Sequence, residues 1–227
     1  MTVALQALKR VIVPIAVWLL VMIGIGLLVT KVLNRDWPFT IEDGVNRDFA
    51  ADRTGDWNGI TGFFSLVGST PVIIGVTVVA ALVLRWRLRR WNESIFLCLA
   101  VACQAVVFFF TTLVIDRARP AVAKMDVSPP TSSFPSGHTS AAVALYAGLA
   151  LVLALLLKRT WLKAAVWLLV LIPVAVAFSR LYRGMHHPSD VTASFVNGAV
   201  CITIAARALL DRTVRWGRSA SRRTVTT

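Results

Sequence analysis

Charged residues are scarce in this sequence. Asp, Glu, Lys and Arg together make up 15% of the 227 residues, whereas 57% are hydrophobic. A typical soluble domain carries about 25% charged residues, so this composition excludes an ordinary water-soluble fold. We therefore take the lipid bilayer to be the solvent for most of the chain.

Cysteine is also rare, and its positions exclude a disulfide-stabilised secreted fold. Cys98, Cys103 and Cys201 all lie in apolar stretches, where a thiol packs as a small hydrophobic group. The sequence contains no internal repeat, no low-complexity segment and no interdomain linker. We therefore predict a single domain of residues 1–227, with its core at 59–210 and a basic cytoplasmic tail at 211–227.

Six apolar runs are long enough to cross a bilayer, which requires about 20 residues. They cover residues 11–30, 59–84, 94–115, 139–157, 161–179 and 191–210. The first run is longer than the roughly 7 to 15 apolar residues of a signal peptide, so we interpret it as a helix. The predicted fold is an all-α integral membrane bundle of six transmembrane helices. Pro71 and Pro173 are expected to kink or break the second and fifth helices.

Acidic residues are nearly absent from one membrane face. If the chain crosses the membrane six times, successive connections lie on opposite faces. One face then holds fifteen of the 24 Lys and Arg residues but only Glu93 and Asp211 among the acids. The positive-inside rule makes this face cytoplasmic, together with both termini. The outer face then holds residues 34–58, 116–138 and 180–190.

The formal net charge of +13 does not indicate nucleic-acid binding, because the positions of the basic residues indicate that they set the membrane topology and contact anionic lipid head groups. We also expect no obligate protein partner. The outer segment 34–58 contains six acids mixed with aromatic residues. Such a mixture is typical of a short interfacial helix.

Three polar clusters stand at the outer ends of predicted helices, where ionisable groups are costly and therefore functional candidates. They lie at residues 116–120, 135–138 and 179–190. Their arginines offer planar forks that match phosphate oxygens better than the point charge of lysine. Arg119 and Arg180 are the first candidates, and Arg117 and Arg183 are further ones.

The second cluster begins the fourth span. The backbone N–H groups of Ser136 and Gly137 would point at the same anion, because a helix N-terminus favours negative charge. His138 follows them as a titratable acid or base. By itself, however, a Ser-Gly-His sequence can simply start a helix.

His186 and Asp190 are four residues apart in the third cluster. Within a helical turn the carboxylate can accept from one ring nitrogen, which leaves the other as a nucleophile for phosphoryl transfer. The pair could instead be a structural hydrogen bond or, with His187, part of a metal site. Because arginines surround the cluster, we predict no metal and no cofactor.

The order and spacing of these clusters resemble the three signature motifs of the type 2 phosphatidic acid phosphatase superfamily. The matching segments are Arg-Pro at 119–120, Pro-Ser-Gly-His at 135–138, and Ser-Arg, His and Asp within 179–190. The resemblance covers residues 59–210 and implies a six-helix bundle. It also implies a lipid phosphate substrate, such as a polyprenyl diphosphate or a phosphatidate.

The resemblance assigns a role to each motif residue. His186 would attack phosphorus, Asp190 would orient His186, and His138 would protonate the leaving oxygen and later activate water. The phosphate would be cradled by Arg119, Arg180, Ser136 and Gly137. Two alternatives remain: a phosphotransferase of the same superfamily, and a non-catalytic protein that binds or transports an anion.

One position departs from the superfamily pattern. A lysine usually stands seven residues before the arginine of the first motif, and here that position is Thr112. Position 112 shares a helix face with Arg119, so the predicted pocket lacks a cation. We include Thr112 and Arg183 among the phosphate-binding residues and expect Arg183 to supply the missing charge, with Arg117 as the alternative.

Overall fold

Helices form nearly all of the regular structure. The computed structural model describes residues 3–128 and 130–223, and these residues include no strand. The α-helices are α1 (Val3–Leu27), α2 (Glu42–Ala51), α3 (Gly55–Val67), α4 (Thr70–Leu88), α5 (Asn92–Val114), α6 (Gly137–Ala142), α7 (Gly148–Leu156), α8 (Thr160–Val166), α9 (Leu171–Tyr182) and α10 (Pro188–Arg223). The end of the predicted basic tail, residues 224–227, lies outside the described residues.

Six helical segments of the described chain are long and apolar enough to cross a membrane. They are Lys9–Arg35, Thr70–Leu88, Asn92–Val114, Gly137–Leu156, Thr160–Tyr182 and Pro188–Leu210. This confirms the predicted all-α membrane bundle of six spans. Five of the predicted runs agree closely with these segments, and the second does not.

The second predicted span, residues 59–84, is wrong at its N-terminal end. The chain forms two helices there, α3 and α4, which are separated at Gly68 and Ser69. Pro71 lies in the first turn of α4, where its missing N–H needs no partner. A Cβ on Gly68 would lie 2.6 Å from the side chain of Val176. The break therefore lets α3 pack closely against α9.

The fifth span also departs from regular α-helix, as its proline predicted. Trp167–Val170 form a 3₁₀ segment between α8 and α9, and Pro173 lies near the start of α9. Proline cannot donate to the carbonyl four residues before it, so the preceding turn is free to tighten. The fourth span has a π-helical turn at Val143–Ala147, between α6 and α7.

The last span is central to the bundle. α10 packs against α1, α5 and α6. One buried apolar cluster includes Phe96 and Leu145, and a second includes Met22 and Phe134. Phe134 directly precedes the second motif, so core packing fixes where that motif begins.

The three segments assigned to the outer face meet at one end of the bundle. Arg53, from the first segment, donates to the carbonyl oxygens of Ala123 at 2.9 Å and Tyr182 at 3.0 Å. The short helix predicted within residues 34–58 is present as α2. All three polar clusters also meet there, because Arg119 donates to the carbonyl of Met185 and the N–H of Ser136 donates to the carbonyl of Asp190.

Candidate active site

The third motif forms a tight turn between two helices. α9 ends in a Schellman motif, in which the N–H groups of Gly184 and Met185 each donate to a carbonyl of the last turn at 3.0 Å. Gly184 has a φ of 68°, a left-handed conformation that favours glycine. Because α10 begins at Pro188, only a short connection carries His186, and its backbone has little freedom.

The ring of His186 is buried and held from one side. Its Nδ1 lies 2.7 Å from the carbonyl oxygen of Ser133, so Nδ1 must donate and Nε2 must carry the lone pair. The carboxylate of Asp190 is 3.9 Å from Nδ1, too far for the predicted hydrogen bond. That prediction is wrong because the backbone carbonyl takes this place. Among the described residues, Nε2 has no hydrogen-bond partner.

The surroundings of His186 keep its ring neutral. Burial lowers the pKa of His186 to about 3, and the positive charges of Arg180 and Arg119 act in the same direction, whereas Asp190 opposes them. The ring is therefore uncharged at physiological pH. A neutral imidazole with an unshared nitrogen is a competent nucleophile.

Asp190 is fully buried, and its carboxylate accepts hydrogen bonds from several donors. One oxygen accepts from Arg117, and the other accepts from the hydroxyl of Ser133 at 2.5 Å and the backbone N–H of His187 at 2.8 Å. The bond from His187 caps the N-terminus of α10, because Asp190 is the third residue of that helix. Asp190 is thus also linked to His186 by hydrogen bonds through Ser133, whose hydroxyl donates to Asp190 and whose carbonyl accepts from the ring.

The second motif places His138 in the first turn of α6. Ser136 caps this helix, and its own N–H donates to the hydroxyl of Ser194 at 2.7 Å. That N–H is therefore not available to an anion, contrary to prediction, whereas the N–H of Gly137 has no partner within the described residues. A Cβ on Gly137 would lie 2.8 Å from the ring of Phe108, so close packing also requires glycine here.

Asp126 pairs with two of the predicted phosphate ligands, with Arg180 through Nη1 alone and with Arg183 through both Nε and Nη2. It accepts from Arg180 at 2.6 Å and from Arg183 at 2.7 Å. Burial alone would raise the pKa of Asp126, but hydrogen bonds from Arg183 and Ser65 outweigh it and lower the pKa to about 2. Arg183 also lies within hydrogen-bond distance of the Thr61 hydroxyl, at 3.4 Å. Arg183 therefore braces the loop that carries Asp126.

Arg117 and Arg119 differ in whether a carboxylate binds them. Arg117 pairs with Asp190 and, at 2.6 Å, with Glu42. Arg119 has no carboxylate partner among the described residues; it donates to the carbonyl of Met185 at 2.8 Å, and its buried Nε is unpaired. Arg119 is thus the arginine of the cluster that has no carboxylate partner in the described part of the chain.

Helix α2 holds the turn that carries His186 through two of its side chains. The amide of Asn46 is buried and donates to the carbonyl oxygens of His186 at 3.1 Å and Leu181 at 3.3 Å. Glu42 accepts from the backbone N–H of Ser189 at 2.6 Å, which caps α10 a second time. Sequence reasoning missed both residues. The signal that could have found them was their spacing of four, which places two polar side chains on one face of a short helix.

Replacement of Asn46 by alanine is expected to lower kcat by about 10-fold with little change in KM, because the buried carbonyl of His186 loses its side-chain donor and the His186 turn loosens. The exposed neighbour Asp48 provides the matched control, and Asp48→Ala should leave kcat unchanged. Steady-state kinetics and thermal unfolding of both variants check this. Equal kcat values in the two variants would show that α2 does not position the turn.

Comparison with protein families identifies the chain. Its sequence matches the model of the PAP2 superfamily over residues 93–213, more than half of its length. The chain belongs to the PAP2 superfamily. The matched region includes all three motifs. No match was found among curated proteins.

Two solved structures share the PAP2 fold seen here. The crystal structure of a PAP2-type phosphatidylglycerolphosphate phosphatase from Bacillus subtilis has a TM-score of 0.74 and 20% identity, and covers 89% of this chain and 96% of that chain. The structure of Aquifex aeolicus LpxE has a TM-score of 0.58 and 24% identity, covering 75% of this chain and 97% of that chain. These likenesses establish the fold.

The PAP2 pattern leaves the departure at Thr112 to be explained. The compensation predicted for Arg183 is not supported, because all three nitrogens of its guanidinium already donate within the protein, to Asp126, Met125 and Asn58. The hydroxyl of Thr112 donates within its own helix, but the residue lines a cavity together with Arg119 and Lys124. Lys124 was missed because it lies in an irregular loop, outside every motif. It is an additional cation beside the site.

Proposed function

We propose that this PAP2 protein is a phosphatase that removes phosphate from a phosphate ester or diphosphate of a membrane lipid through a phosphohistidine on His186. The observation that carries the proposal is the state of that ring: neutral, fixed through Nδ1 by the carbonyl of Ser133, and unpartnered at Nε2 within the described chain. Arg119 and Arg180 are close enough to interact electrostatically with it. Their charge favours an anionic substrate.

The geometry supports a two-step reaction. Nε2 of His186 attacks phosphorus, the bond from phosphorus to the leaving oxygen breaks, and His138 gives that oxygen a proton. Water then attacks the phosphorus, His138 takes a proton from this water, and the bond to nitrogen breaks to release inorganic phosphate. Arg119, Arg180 and the N–H of Gly137 stabilise the charge on the transferred group.

Positive charge for this reaction comes from the protein. Among the described residues, no group of three His, Cys, Asp or Glu side chains is arranged to bind a metal ion. Arginines and a helix N-terminus can stabilise phosphoryl transfer in the position that a metal takes in other enzymes. We therefore expect activity to be insensitive to chelators.

An apolar cavity supports a lipid substrate. It has a volume of about 460 Å³ and is lined by α1, α10 and the segment before α2, including Met22, Phe134 and Ala193. Glu42 and Ser189 also line it, and the hydrogen bond between them holds the start of α10 next to His186. We place the acyl or prenyl chain of the substrate in this cavity. The Bacillus subtilis relative is itself a phosphatase of a phospholipid.

Filling this cavity is expected to lower activity on a lipid substrate but not on a soluble one. Ala193→Phe should lower kcat/KM for hexadecyl phosphate by about 10-fold, because the bulky ring occupies volume that the chain needs, and should change butyl phosphate hydrolysis by less than about 2-fold. Release of inorganic phosphate by purified protein, measured in EDTA, is the assay. Equal effects on both esters would contradict a chain-binding role, and no phosphate release by the wild type would contradict the function itself.

We further propose that the active site faces the outside of the cell membrane and that both termini are cytoplasmic. The charge asymmetry of the sequence supports this orientation, with fifteen basic and two acidic residues on the opposite face. The acidic segment 34–58 contacts the catalytic turn through Asn46. An outward site favours the recycling of carrier lipids or the dephosphorylation of glycerophospholipids.

A further inference from the structure

A second cavity, which is polar, lies beside Arg119. Its volume is about 640 Å³. Its wall includes Thr112, Asp116, Arg119, Lys124, Ser128 and Thr131. Neither His138 nor His186 is part of this wall, so the cavity is separate from the place where phosphorus is attacked. Lys124, Ser128 and Thr131 lie outside the sequence motifs.

The cavity wall carries unpaired positive charge. Lys124 is exposed and has no ion pair or hydrogen bond among the described residues. Arg119 lacks a carboxylate partner there, and its buried Nε has no acceptor. Against these two cations stands a single acid, Asp116. The hydroxyls of Ser128 and Thr131 add donors of the kind that phosphate oxygens accept.

Arg119 connects the two regions. It is close enough to interact electrostatically with both His138 and His186, and it also forms part of the cavity wall. An anion at His186 and an anion in the cavity would therefore share one guanidinium. Two phosphates joined by a single oxygen have this arrangement, whereas a simple alkyl or prenyl monophosphate carries no second anion.

We propose that the cavity around Lys124 binds a second phosphate of the substrate, adjacent to the phosphate that His186 attacks. The preferred substrate class is then a lipid diphosphate. This inference rests on the function proposed above and narrows it. It also explains how the site works with threonine at position 112: the additional cation comes from the loop after the first motif.

The second phosphate takes part in the chemistry as the leaving group. Nε2 of His186 attacks the terminal phosphorus, and the bond from this phosphorus to the bridging oxygen breaks. The lipid monophosphate leaves with the electron pair of that bond, and Lys124 stabilises the negative charge. Water then hydrolyses the phosphorus–nitrogen bond, which releases inorganic phosphate and restores the imidazole.

A matched pair of substrates tests this subsite. Farnesyl diphosphate and farnesyl phosphate share one chain and differ by one phosphate. We expect Lys124→Ala to lower kcat/KM for the diphosphate by roughly 10-fold and to change the monophosphate by less than about 2-fold. Lys124→Arg should retain most of the preference. Arg47→Ala removes an exposed cation of α2 outside the cavity wall and should affect neither substrate.

The other outcomes would overturn the inference. An equal loss on both substrates would show that Lys124 acts on the attacked phosphate, and no loss on either would show that it binds no substrate group. If the cavity holds only free phosphate, Lys124→Ala will weaken product inhibition by inorganic phosphate and leave both kcat/KM values unchanged. A wild-type protein that hydrolyses neither substrate would instead contradict the proposed function.

Discussion

Alanine in place of His186 is expected to lower turnover by at least about 10³-fold, because the reaction loses its nucleophile. The physical reason is specific to this ring. Its Nδ1 is bound to the carbonyl of Ser133, and burial keeps it neutral, so Nε2 is poised for attack. Steady-state phosphate release from a lipid phosphate measures the loss.

His187 is the matched control for this variant. It is the adjacent histidine, but one ring nitrogen lies 3.3 Å from Asp190 and the other 3.2 Å from Asp43. His187→Ala removes a supporting contact and should retain at least about 10-fold more activity than His186→Ala. Activity in His186→Ala that equals or exceeds that of His187→Ala would show that another residue is the nucleophile.

The second large effect is expected at His138. His138→Ala should lower kcat for an alkyl phosphate by about 10²- to 10⁴-fold, the usual contribution of a positioned general acid. The loss should shrink for p-nitrophenyl phosphate, whose leaving group departs without a proton. His138 lies in the first turn of α6 and interacts electrostatically with Arg119 and Arg180, the two arginines that we propose bind the phosphate.

A series of leaving groups distinguishes this role from simple phosphate binding. A plot of log kcat against the pKa of the leaving alcohol should become steeper in His138→Ala than in the wild type. Parallel lines with a constant offset would mean that His138 stabilises phosphate equally for every ester, and its assignment as the acid would fail.

Most of the fold could be predicted from hydropathy, because a bilayer demands long apolar helices. The failure at residues 59–84 has a physical cause: Gly68 and Ser69 break the helix without adding charge, so a hydropathy profile continues across them. Pro71 was the one local sign of the break. Helix α2 was predicted only as a short interfacial helix, since its function depends on tertiary contacts.

The candidate catalytic residues stand at local spacings that a sequence shows, whereas the residues that hold them in place do not. Asn46 reaches the carbonyl of His186 across 140 residues of sequence, and Ser133 reaches the ring across 53. No periodicity encodes such contacts. The same limit explains the error at Arg183: its sequence position favours an anion, but only the folded loop shows that the anion is the carboxylate of Asp126.

Covalent capture of the intermediate tests the central claim most directly. Protein mixed rapidly with a lipid phosphate that carries a radiolabelled phosphoryl group would be quenched in alkali, in which phosphohistidine survives, and digested for peptide mapping. We predict label on the peptide that contains His186, release of this label by acid, and no label in His186→Ala. Acid-labile label that persists in His186→Ala, or a wild type that turns over without ever becoming labelled, would contradict the phosphohistidine mechanism.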